Sequence, residues 1–247
     1  MRALVTDGSY KHTLAIVRSL GRQCIKVSVL SSDKEAISFQ SKYCAQSVVS
    51  PPPNREDEFV KFLHSFLSRN KFDILIPVSS YSVRVIGKQR AELKRYTSIE
   101  LPEYEAVEIA ANKKETFQLA ERLGIPCPHT IYPETYQEVR EMASSLTYPL
   151  VIKGAYGAGG SSVDYAFNAA GLLKKYQSIS SIEDFDNDTS PMIQEYIRGV
   201  GCGFFALYQH GTCKRIFMHR RVREYPITGG ASVCAESFYH KHLKEYG

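Results

Sequence analysis

The sequence predicts an α/β protein that opens with a small doubly wound parallel sheet. Two observations carry this. Short apolar runs alternate with helical periodicity over the first hundred residues. The runs are also near-continuously apolar, as strands covered on both faces must be. A balance of 43% apolar and 23% charged side chains over 247 residues is that of a globular chain with a real core.

The elements follow in order. Ala3-Leu4-Val5 is a first strand, ending at Asp7-Gly8. Leu14, Val17 and Leu20 mark one face of a helix that stops at Gly21. Ile25–Leu30 reads as a strand, and Val48-Val49 as a third, closed by three prolines. Phe59, Phe62, Leu63, Phe66 and Leu67 fall at i, i+3, i+4, i+7 and i+8, the spacing of an amphipathic helix. Asp73–Val78 is the next strand, followed by a helix through Val83, Ile86, Arg90 and Leu93 and by Ser98–Leu101. Ligands of such sheets sit beyond the carboxyl ends of the strands, so Asp7-Gly8-Ser9 and Val78–Tyr81 belong to the ligand side. A dinucleotide fingerprint is excluded, because the first strand–helix turn offers Gly8 alone where three glycines are required.

Charge and cysteine content narrow the function. The net charge is +5, from 31 basic and 26 acidic side chains, and the basic residues are scattered. That argues against a nucleic-acid face and suits small anionic ligands. The six cysteines form no Cys-x-x-Cys pair, which argues against zinc, and they read as reduced thiols. No apolar run approaches a membrane span, and the start has no signal-peptide core, so a cytoplasmic protein is expected.

The chemistry-bearing residues lie further on. A helix from about Glu115 to Leu123, with Phe117 and Ala120 inward, stops at Gly124 and the prolines beyond it. A second helix spans about Thr135–Leu146. Leu150-Val151-Ile152 is a buried strand ending in Lys153, and Gly154–Ser162 is rich in glycine and serine. Backbone N–H groups of such a loop approach an anion closely, and a lysine beside it suits a polyphosphate. It is not a Walker A loop, since Lys153 precedes the glycines. Taken alone, it reads equally as a glycine-rich hairpin beside a solvated lysine. Met192–Glu195 is another strand, followed by a further short apolar segment and Gly199, whose backbone suits the edge of a purine. Taken alone, an ordinary strand with one exposed Glu is the favoured reading there.

Together, and in this order, these segments resemble the ATP-grasp superfamily. Asn112–Phe117 resembles its lysine-bearing helix start, Val151–Gly154 its second phosphate lysine, and Gln194–Ile197 its adenine linker. His219–Gly230 resembles a segment of the superfamily's predicted ATP-dependent carboligases. The resemblance implies a Rossmann-like preface domain over 1–111, a first ATP-grasp lobe over 112–190 and an incomplete second lobe over 191–247. It implies that Lys113 and Lys153 contact the α- and β-phosphates, with Lys114 as the alternative to Lys113. Gly157, Ala158, Gly159, Gly160 and Ser161 would close over the β- and γ-phosphates. Glu195, Tyr196 and Ile197 would hold the adenine. Arg221 and Arg223 would meet the γ-phosphate and the acyl substrate, although a solvated basic edge explains them equally.

The implied cofactors are ATP and Mg²⁺, and the implied chemistry is acyl-phosphate formation from a carboxylate, then attack by an amine. Two departures stand out. Val200–Gly203 holds no acid for the ribose, and the metal-binding Glu and Glu-x-Asn of the superfamily have no match, Glu236 being in the wrong context. The sequence therefore reads as part of a ligase, as one half of a split enzyme whose second chain supplies the rest, or as a non-catalytic nucleotide-binding regulatory or assembly subunit.

Overall fold

In the computed structural model the described residues are 1–156, 162–180, 190–225, 227 and 230–247. The chain divides into two compact units, Met1–Ala111 and Asn112–Gly247.

The first unit runs β1 (Arg2–Val5), α1 (Lys11–Arg22), β2 (Lys26–Ser31), β3 (Cys44–Val49), α2 (Glu56–Arg69), β4 (Ile74–Ile76), α3 (Ser80–Lys88), α4 (Arg90–Leu93) and α5 (Tyr104–Ala111). Its four strands are all parallel, in the order β3-β2-β1-β4. Successive side chains on a strand point to opposite faces, and the core splits accordingly. Leu4, Leu30 and Leu75 pack with Phe59 and Leu63 of α2 and Ile86 of α3. Val5, Val27 and Val29 pack with Val17 of α1. Both faces are covered by helices, which is why the strands carry no polar alternation. Gly8 is required by close approach: a Cβ there would stand 2.9 Å from Val29 Cγ1.

The second unit runs α6 (Lys113–Arg122), β5 (Thr130–Ile131), α7 (Tyr136–Met142), β6 (Leu150–Lys153), β7 (Val163–Ala166), α8 (Ala169–Ser180), β8 (Met192–Glu195), β9 (Cys202–Gln209), β10 (Thr212–Tyr225), β11 (Ala231–Ser237) and α9 (Lys241–Tyr246). One antiparallel sheet has the order β5-β8-β6-β7, and a second has the order β11-β10-β9. Val139, Ala143, Leu172, Tyr176 and Ile179 of the α7 and α8 segments bury one face of the first sheet, against Leu150, Ile152, Ala166 and Ile193.

Several elements depart from the sequence reading. β8, expected to open the second lobe, pairs with β5 and β6 and completes the first sheet. Its partners lie 39 to 64 residues away, a pairing that no local period encodes. The helix expected to Leu146 ends at Met142, although Leu146 still packs on the same core. α6 buries no residue, so Phe117 and Ala120 are only partly covered. No strand follows Glu195 until β9 begins at Cys202. No helix among the described residues is long and apolar enough to cross a membrane.

The start of α6 gives a direct test. Asn112 is 3% exposed, and its Oδ1 accepts from Lys114 N–H at 2.9 Å and Glu115 N–H at 3.4 Å. Replacing a capping Asn by Ala costs about 1 kcal/mol, up to ~2. Asn112→Ala should lower the unfolding free energy by that amount, seen as a lower urea midpoint with an unchanged denaturant slope, and an unaltered midpoint would show that the cap contributes nothing.

Candidate functional site

The site is built on the face of the first antiparallel sheet opposite its helices. Leu150 and Ile152 point into the helical core, so Val151 and Lys153 point to the other face. The register places Gln194 and Tyr165 beside Val151, and Met192 and Val163 beside Lys153. This face is therefore an apolar strip, with a lysine at one end and tyrosines at the other. The Tyr165 and Tyr196 rings meet edge to face, with centroids 5.9 Å apart. Gln194 is 1% exposed. Its Nε2 donates to Thr130 Oγ1 at 2.8 Å, and its Oε1 has no partner among the described residues.

Lys153 is half-buried. Its ammonium lies 5.2 Å from the centroid of the Phe117 ring, a cation–π distance. Burial lowers its pKa below the ordinary lysine value, with no opposing contribution from a carboxylate. No salt bridge is made by it among the described residues.

Lys113 stands at the mouth of the glycine-rich segment. Its backbone N–H donates to Ala155 O at 2.8 Å. Its Nζ donates to Tyr156 O at 2.7 Å and reaches Gly154 O at 3.4 Å and Ser162 Oγ at 3.5 Å. The two stems are tied to each other as well: Gly154 N–H donates to Ser162 O at 2.8 Å, and Ser162 Oγ–H to Tyr156 O at 2.7 Å. Lys113 thus bridges both stems of the loop that follows Lys153. Lys114, its alternative, makes no comparable side-chain contact to these stems among the described residues. Gly157, Ala158, Gly159, Gly160 and Ser161 lie outside the described residues.

The linker after β8 is exposed at Glu195, Tyr196 and Ile197. Glu195 is already engaged. Its N–H donates to His129 O at 3.0 Å, and its Oε1 accepts from His129 N–H at 2.9 Å. That partner was not legible, since it precedes β5 and is 66 residues away. Beside the linker opens a cavity of about 570 Å³, with Pro149, Tyr165, Phe167, Tyr196 and Arg198 on its walls. Burial raises the Tyr165 pKa, with smaller contributions from Tyr196 and from the charge of Glu224.

The arginines separate. Arg221 Nη1 donates to Glu224 Oε1 and to Gly230 O, each at 3.2 Å, while its buried Nε lacks a partner among the described residues. A bulge at Val222 leaves Arg221 opposite Ala235 and Arg223 opposite Cys234. Arg223 is exposed. Arg220 pairs with Glu236 across the strands. Among the described residues no three His, Cys, Asp or Glu side chains come together as a metal site.

Residues 112–200 match the family described as carbamoyl-phosphate synthase L chain, ATP binding domain. The carbamoyl phosphate synthase large chain of Pyrococcus furiosus is 29% identical over 77 residues, 31% of this chain and 7% of that one. The fold matches the L-amino acid ligase of Bacillus licheniformis with a TM-score of 0.73 at 16% identity, over 98% of this chain and 55% of that one. It matches the biotin carboxylase–βγ-ATP complex of Campylobacter jejuni with a TM-score of 0.63 at 18% identity, over 81% of this chain and 46% of that one. The architecture is thus the ATP-grasp fold that the sequence resembles. The chain spans about half the length of these two solved structures and a small fraction of that curated relative.

Proposed function

We propose that the Lys153 face binds ATP, and that the chain serves an ATP-dependent ligase joining a carboxylate to an amine. The observation that carries the reading is the part-dry Lys153 ammonium, paired with no carboxylate among the described residues, next to stems bridged by Lys113. In this reading the purine lies along the strip between Lys153 and the Tyr165–Tyr196 pair, against the linker backbone. Lys113 and Lys153 neutralise the α- and β-phosphates. Arg221 and Arg223 face the γ-phosphate and the acyl group.

The chemistry is two displacements. A carboxylate oxygen attacks the γ-phosphorus and ADP leaves, giving an acyl phosphate. The amine nitrogen then attacks the acyl carbon, phosphate leaves, and the amine loses a proton. Little of this needs covalent help from the protein, so positioning and charge stabilisation carry the rate. Mg²⁺ would travel with the nucleotide and share its phosphate charge. The described residues offer it no cluster of carboxylates. That last observation also supports the second reading, a nucleotide-binding regulatory or assembly subunit without turnover.

Calorimetric titration with MgATP tests the proposal, and pH gives it a signature. Lys153 sits below the ordinary value of 10.5 through burial, so its charge is lost at lower pH than that of a free lysine. Phosphate favours the charged form and raises the pKa again, so binding takes up a proton in the alkaline window. MgATP affinity should fall as pH rises through the lowered value, before ordinary lysines titrate, and Lys153→Arg should flatten the fall. No binding at pH 7.5 rejects the reading. Binding with MgATP hydrolysis at a rate equal to that of the buffer, in the presence of carboxylate and amine, favours the regulatory alternative.

A further inference from the structure

We propose that the first unit carries a binding site for a neutral, hydroxyl-rich small molecule the size of one sugar ring. All of its residues lie within Met1–Ala111, so it does not depend on the nucleotide reading. The site is a cavity of about 280 Å³ at the carboxyl ends of the parallel strands, at the small end of the usual ~300–1,000 Å³ for ligand pockets. β1 lies between β2 and β4, so the strand order reverses beside it, where sheets of this type take ligands.

The groups on its walls decide the ligand. Asp7 holds the left-handed conformation, φ 63°. Its Oδ2 accepts from the Thr6 hydroxyl and from Ser79 N–H, and Oδ1 has no partner among the described residues. Ser50 is 7% exposed. Its N–H donates to Ser31 O at 2.9 Å, but its hydroxyl makes no hydrogen bond among the described residues, and the residue lines the cavity. That hydroxyl is not among the fully buried atoms that lack a partner, so it is open to the cavity and free to pair with a ligand hydroxyl. Ser32, Asn54, Tyr10 and Tyr81 line the same space, and none of their side chains has a hydrogen-bond partner among the described residues.

No Lys, Arg or His is among the lining residues. A phosphate or carboxylate would therefore meet the Asp7 charge with no cationic side chain on the walls to offset it. An ammonium ion would satisfy Asp7 but leave the hydroxyls and the amide unpaired. A polyol satisfies both: one hydroxyl donates to Asp7, and the others exchange hydrogen bonds with Ser32, Ser50 and Asn54. Tyr10 and Tyr81, 48% and 59% exposed, offer aromatic faces at the rim for the C–H face of a ring.

The test is saturation-transfer NMR on the full chain with three probes: methyl β-D-ribofuranoside, D-ribose 5-phosphate and 1,4-diaminobutane. The neutral furanoside is expected to bind saturably. Asp7→Asn, whose side chain tolerates the left-handed conformation, should weaken it about tenfold or more, as loss of a hydrogen bond to a charged group does. Ser50→Ala should weaken it several-fold, while both variants melt as the parent does. If Asp7→Asn fails to fold, Tyr81→Ala at the exposed rim replaces it and should also weaken binding. Absence of furanoside binding at ~50 mM, far above the millimolar range where even weak ligands bind, overturns the proposal. So does preference for the phosphate or the diamine, or furanoside binding that none of the variants alters.

Discussion

Lys153→Met should cost the chain at least thirty-fold in affinity for MgATP, and should leave the nucleotide-free protein no less stable. The first half follows from burial. Removing one partner of a hydrogen-bonded charge pair away from water costs about 2–5 kcal/mol, because the other charge is left uncompensated. The second half follows from the opposite sign of the same effect. Without nucleotide the ammonium is held part-dry against the Phe117 face, with no charged partner among the described residues, and burial disfavours its charged form. Methionine fills a similar volume without a charge to desolvate, and its sulfur packs well against a ring. A melting curve without ligand, then a titration with MgATP, checks both halves. A structural lysine would show the reverse pattern, a lower melting temperature with affinity kept. Lys113→Met should behave differently again. It removes the bridge to Tyr156 O and Ser162, so the free protein should lose stability along with affinity.

What the sequence made legible was local. The 3.6-residue spacing of Phe59, Leu63 and Leu67 is a helix face in the structure, and all three are buried. The apolar runs around Leu4, Val29 and Leu75 are parallel strands covered on both sides. Lys153 was conspicuous because a lysine ends an apolar strand just before glycines. Long-range matters were not legible. The assignment of β8 to the first sheet depends on pairing with Leu150–Lys153, which no period within Met192–Glu195 reveals. The same holds for His129, which takes one oxygen of Glu195, and for the Glu224 and Gly230 contacts that hold Arg221. The bulge at Val222 shifts the phase of alternation along β10, so Arg221 and Arg223 cannot be assigned to one face from spacing alone. The cavity beside Asp7 was half visible. Strand ends were expected to face a ligand, but Ser50 and Asn54 enter from the loop after β3, where the sequence shows only prolines and polar residues.

Ile152→Ala should be the most destabilising single change in the candidate site's sheet, at about 3 kcal/mol within the ~2–5 range for buried Ile to Ala. Ile152 is fully buried, in the centre of a cluster with Val139, Leu172, Tyr176 and Ile193. Two helices and two neighbouring strands converge there, so the surroundings have little freedom to collapse into the space. The transition should move to lower urea with an unchanged slope, since the surface exposed on unfolding hardly alters. Val151 is the internal control. It is also buried, 7% exposed, but lies on the opposite face of the same strand, with Lys153. Val151→Ala removes two methyl groups where the purine is proposed to lie, so it should cost less stability and more MgATP affinity. If Ile152→Ala weakened nucleotide binding in folded protein as much as Val151→Ala did, the two faces would not be functionally distinct. The nucleotide would then have to be sought away from the Lys153 face. A split, with stability lost through Ile152 and affinity lost through Val151, follows from one strand whose alternate side chains serve a core on one side and a ligand on the other.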